Sequence, residues 1–122
     1  MYGVTGMQAE LGVSSGAADL RTVVNTRTTA AWTVVADEVT PQGKHIVSVV
    51  HSGACFCELP TPTTLGKSPG DKLSIMQGGA GTLTITGGAG AALIGNASFV
   101  SQYEIKTAIA LDGDTWLLAG AQ

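Results

Sequence analysis

From Thr22 onward, apolar and polar positions alternate by two in "AAWTVV", "HIVSVV", "DKLSIMQ" and "TLTIT". These stretches are rich in β-branched residues, which is the pattern of half-buried strands. "DKLSIMQ" puts Leu73 and Ile75 on one face; after the turn "GGAG" the next run puts Leu83 and Ile85 inward and Thr82, Thr84 and Thr86 outward, which predicts an antiparallel hairpin. Between Phe99 and Leu111 the alternation gathers Phe99, Tyr103, Ile105, Ile109 and Leu111 on an inner face and Gln102, Glu104 and Lys106 on an outer one. Asp112-Gly113, set between two alternating segments, is the strongest hairpin signal in the chain. Residues 1–20 carry Gly3, Gly6, Gly12 and Gly16 and no single period, so they read as an extended arm. The expected fold is all-β: a compact antiparallel β-sandwich or barrel-like module of about eight strands over residues 21–122, preceded by an extended N-terminal arm over 1–20.

"TLTITGGAGAALIG" at 82–95 raises a different possibility, a strand leading into the glycine turn of a dinucleotide-binding unit. The spacing fails, because G-x-G-x-x-G begun at Gly88 and Gly90 needs glycine where the chain has Leu93. The context fails too: the 27 residues after Gly95 read as two strands, and nothing upstream keeps a helical period. The segment reads instead as a turn of small residues where backbones approach closely.

Composition narrows the partners. Charged residues are 12% of 122, about half the globular norm of ~25%, and 17 are glycine. The formal charge of −3 comes without any basic cluster, so a nucleic-acid partner is not expected. No apolar run approaches the ~20 residues that span a bilayer, and the first residues lack a cationic and apolar leader, so no membrane partner and synthesis in a cytoplasm are expected.

Candidate chemistry is sparse. His51, Cys55, Cys57 and Glu58 fall within eight residues, but a closed zinc site wants four well-spaced ligands and no second Cys or His pair follows. Alternation puts Cys55, Cys57 and Leu59 on one strand face, where the thiols act as small apolar groups; residues i and i+2 of a strand also sit about 6.5–7 Å apart, at the limit for a disulfide. Asp112 and Asp114 lack the remaining oxygen ligands of a calcium loop. His45 and His51 stand near no nucleophile elbow, and no carboxylate pair shares an apolar cleft, so neither enzymatic activity nor a cofactor or metal is expected. The sequon "NAS" at 96–98 has no secretory route to give it meaning. Arg21 and Arg27, the only arginines, are either solvated or contact a neighbouring subunit, and an outward Phe56 opposite the inward cysteines would be an interface anchor.

The order of these segments resembles the small β modules of tailed-bacteriophage virion proteins, found in capsid decoration proteins and tail fibres. The matching stretches are "WTVVADEVTPQGKHIVSVV", "ACFCELPTP", "SPGDKLSIMQGGAGTLTITGGAG", "SQYEIKTAIAL" and "GDTWLLAG", covering about residues 31–120 and leaving the arm unmatched. The resemblance implies a non-enzymatic structural protein that assembles as a homotrimer on the virion. One module plus a short arm points to a decoration, or cement, protein on the outer capsid surface, with the major capsid protein as its partner. A tail-fibre or receptor-binding module is the alternative. On that reading the arm is the clamp, with Tyr2, Val4, Met7, Leu11 and Val13 packing against another chain because they have no periodic face to give their own core.

Overall fold

The computed structural model describes residues 21–120, and these form an all-β protein with one short α-helix and one 3-10 turn, Ala36–Glu38. Nine strands are described: β1 Val23–Arg27, β2 Ala31–Thr33, β3 His45–Val49, β4 Cys55–Leu59, β5 Lys72–Gln77, β6 Leu83–Gly87, β7 Ala92–Ile94, β8 Ile105–Ala110 and β9 Thr115–Gly120. They make a six-stranded sheet in the order β1-β3-β5-β8-β9-β7 and a three-stranded sheet β2-β4-β6.

The pairing is where the expected antiparallel sandwich or barrel fails. β1, β3 and β5 pair parallel, and so do β2, β4 and β6. Over the described residues the chain runs one strand in each sheet, returns, and stacks the next pair on the last, giving three rungs of a β-solenoid. Val23 lies opposite His45 in the large sheet, and Cys55 lies opposite Leu83 in the small one. β5 and β6 are therefore not a hairpin. Alternation reports that one face of a strand is buried, not which strand lies beside it, and both sheets bury a face in the same core.

"GGAG" at 78–81 is the corner between the sheets. It lies directly on the corresponding corner of the preceding rung: a Cβ on Gly81 would stand 2.0 Å from the Gly53 carbonyl oxygen, and one on Gly79 would stand 2.4 Å from the His51 nitrogen. Only glycine lets the two corners touch, and Gly81 N–H donates to the His51 carbonyl at 2.8 Å. The buried Gln77 side chain links the corner's two ends by accepting from the Leu83 N–H at 3.1 Å.

After the third rung the chain turns antiparallel. β8 and β9 form the hairpin that Asp112-Gly113 predicts, with Leu111 N–H donating to the Thr115 carbonyl at 2.9 Å. The expected faces of β8 are reversed. Lys106, Ala108 and Ala110 point inward, while Tyr103 and Leu111 are exposed. The cause is volume: the inward alanines lie opposite Leu73, Trp116 and Leu118, which fill the interior, so the larger Ile105 and Ile109 go outward. Lys106 is held inside by Glu104 at 3.1 Å and lies 5.4 Å from the Phe99 ring centre.

The core runs between the two sheets and contains Val47, Val49, Leu73, Ile75 and Trp116 from one and Cys55, Cys57, Leu59, Leu83 and Ile85 from the other. The short helix α1, Pro62–Leu65, starts at Thr61, whose hydroxyl accepts from Thr64 N–H at 3.1 Å. This segment docks on the β8–β9 turn: Thr63 donates to the Gly113 carbonyl through both its N–H and its hydroxyl, and the Trp116 indole donates to Pro60 at 2.8 Å.

Candidate assembly faces

The outer face of the six-stranded sheet follows from the register. One row across it reads Val24, Ile46, Ser74, Thr107 and Ala119. Another reads Lys72, Ile109, Leu117 and Ile94, and a third Thr26, Ser48, Met76 and Ile105, with Ser48 itself buried. Of these thirteen side chains only Lys72 carries charge, and its ammonium donates to the Pro41 carbonyl at 3.1 Å. Ser74 and Thr107 satisfy one another's hydroxyls at 3.2 Å. By strand spacing and rise the face is about 24 Å by 17 Å, of the order of 400 Å². It is nearly neutral, and seven of the thirteen residues are β-branched, so a surface apposed to it meets little charge.

In the first described rung, formed by β1 and β2, the inward side chains include the polar Asn25 and Arg27 beside Val23 and Trp32. Glu38 is buried and accepts from Arg27, from Asn25 Nδ2 at 3.2 Å and from Val35 N–H at 3.2 Å. Asn25 Nδ2 also lies 3.1 Å from His45 Nδ1. The Arg27 guanidinium lies 5.3 Å from the centre of the Trp32 ring. Arg27 is thus engaged inside its own chain, an intramolecular role that the sequence did not distinguish from a subunit contact. Neither Glu38 nor Asn25 stood out in the sequence, because a lone acid and a lone amide give no pattern until the fold brings them to Arg27. The Trp32 indole nitrogen is buried without a hydrogen-bond partner.

Cys55 and Cys57 are free, buried thiols facing the core. Burial raises the titration of both above the usual thiol range, and for Cys57 the nearby Glu38 carboxylate adds to the rise. Phe56 points outward and is 48% exposed. Arg21 lies on the surface just before β1. Tyr2, Val4, Met7, Leu11 and Val13, with the whole of the arm, lie outside the described residues. Among the described residues no three of His, Cys, Asp and Glu are grouped so as to hold a metal ion, and no helix is long and apolar enough to cross a membrane. Neither a comparison with protein-family models nor one with curated proteins finds a match to this chain.

Proposed function

We propose that the protein is a non-enzymatic structural protein of a bacteriophage virion, a capsid decoration protein that assembles as a homotrimer on the outer head surface and engages the major capsid protein. The single observation that carries the assembly part is the broad, nearly uncharged outer face of the six-stranded sheet. The virion setting rests on the segment order over residues 31–120. Contacts in a cyclic trimer are heterologous, so each pairs this face with a different patch of the next copy and buries at most about 800 Å² in all, below the ~1,200 Å² of stable binary interfaces. Association through this face alone is therefore weak, and repetition on a lattice supplies the avidity that decoration needs. Closed cyclic assembly leaves no copy's face open to indefinite growth.

The tail-fibre reading keeps a specific observation in its favour: the parallel rungs of the described residues stack along one axis, the arrangement from which an elongated shaft is built. Quantitative mass spectrometry of purified particles separates the two. Hundreds of copies per particle support decoration, a few to a few dozen support a fibre, and absence from particles overturns both.

A further inference from the structure

The outer face of β2-β4-β6 differs from that of the larger sheet. Two columns cross it, Ala31–Phe56–Thr84 and Thr33–Glu58–Thr86, and an open cleft of about 310 Å³ is lined by Ala31, Thr33, Phe56, Glu58 and Thr86 from these columns and by Trp32. That volume is at the low end of the ~300–1,000 Å³ usual for ligand clefts. Phe56 has only Ala31 and Thr84 as ladder neighbours, so its ring stands above small groups with a face uncovered.

The polar atoms around the ring are committed in one direction. The Thr33 hydroxyl donates to Glu58 Oε1 at 3.1 Å, and the Thr86 hydroxyl donates to the Cys57 carbonyl at 3.4 Å. With both protons used, the two hydroxyls and the Glu58 carboxylate present lone pairs to the cleft. A ligand that fits must bring several O–H or N–H donors and a flat C–H surface for the ring. Among the described residues no cationic side chain lines the cleft, so an anionic ligand is disfavoured beside Glu58. A compact cation would meet one carboxylate and two aromatic residues, Phe56 and Trp32, but the Arg27 guanidinium already lies 5.3 Å from the Trp32 ring centre and disfavours a second cation there. A pyranose satisfies both demands, with its axial C–H face on Phe56 and its hydroxyls on Glu58, Thr33 and Thr86.

We propose that this cleft binds a neutral saccharide, stacked on Phe56 and hydrogen-bonded to Glu58. The site goes beyond the assembly reading and does not depend on it, since the face points away from the six-stranded sheet and stays open if that sheet is covered. The test is titration of the full-length ¹⁵N-labelled protein with maltohexaose, cellohexaose and chitohexaose, and separately with choline, followed by amide chemical shifts. The expected result is that at least one saccharide shifts the amides of Phe56, Glu58 and Thr86 with millimolar affinity. Phe56→Ala and Glu58→Gln should each weaken that binding about tenfold or more. Both side chains are exposed, and unchanged β8 and β9 amide shifts would confirm that the variants are folded. The proposal is overturned if no saccharide moves those amides at about 20 mM, if choline alone moves them, or if Phe56→Ala binds as the parent does.

Discussion

Replacing Gly81 by alanine separates a stacked solenoid from a hairpin sandwich. In a hairpin, "GGAG" is a solvent-facing turn that accepts a methyl group at little cost. Here the new Cβ would lie 2.0 Å from the Gly53 carbonyl oxygen and 2.7 Å from that of His51, both backbone atoms of the rung beneath. Ordinary C···O contact begins near 3.3 Å, so the corner has to lift by roughly 1 Å. Forced overpacking of this kind costs about 1–3 kcal/mol, and losing the Gly81 N–H bond to His51 adds about 0.5–1.5 kcal/mol. Together they predict a loss of about 2–4 kcal/mol, which lowers the urea midpoint by about 1–2 M. The fluorescence of the buried Trp116 follows unfolding. Gly53→Ala is the control, because its Cβ meets only the His51 ring, at 3.4 Å, and should stay within about 0.5 kcal/mol of the parent. A Gly81→Ala variant as stable as the control would refute rung stacking at this corner.

Glu104→Gln leaves the Lys106 ammonium inside the protein without its carboxylate and should destabilise by about 2–4 kcal/mol in urea unfolding. The Val100 N–H, at 2.7 Å, and then Lys106 hold the Glu104 carboxyl below its ordinary value of 4.5. Its contribution is therefore complete above that value and is lost as pH falls through the lowered one, so the parent's acid limb should be shallower in the variant. Trp32→Phe removes the buried indole N–H that has no partner and should be neutral or stabilising by up to about 1 kcal/mol; a thermal melt showing clear destabilisation would contradict this. Native Cys55 and Cys57 should react with a thiol reagent at least about a hundredfold more slowly than in denaturant.

Much of the local structure was legible. Alternation placed Cys55, Cys57 and Leu59 inward and Phe56 outward, and Asp112-Gly113 marked a true hairpin. Strand partners were not legible, because parallel and antiparallel neighbours leave the same trace when only one face is buried. A signal was present in the recurrence of a strand, a corner of small residues and a second strand at "VVNTRTTAAWT", "HIVSVVHSGACFCEL" and "KLSIMQGGAGTLTIT", which is a weak repeat with a period of roughly 22 to 28 residues. The reversal of β8 was hidden for another reason: an inward Lys106 contradicts any hydrophobicity rule until Glu104 and Phe99 are brought beside it. The polar cluster around Glu38 was hidden similarly, since Asn25, Arg27, Glu38 and His45 are scattered along the chain.

The assembly claim is tested most directly by sedimentation velocity of the full-length protein across about 1–200 µM, beside a Thr107→Glu variant that places one charge in the middle of the six-stranded face. The account predicts that the parent shifts from monomer toward trimer as concentration rises, while the variant keeps the parent's amide shifts in the core but stays monomeric. A parent that remains monomeric over the whole range, or a variant that associates as the parent does, would contradict it.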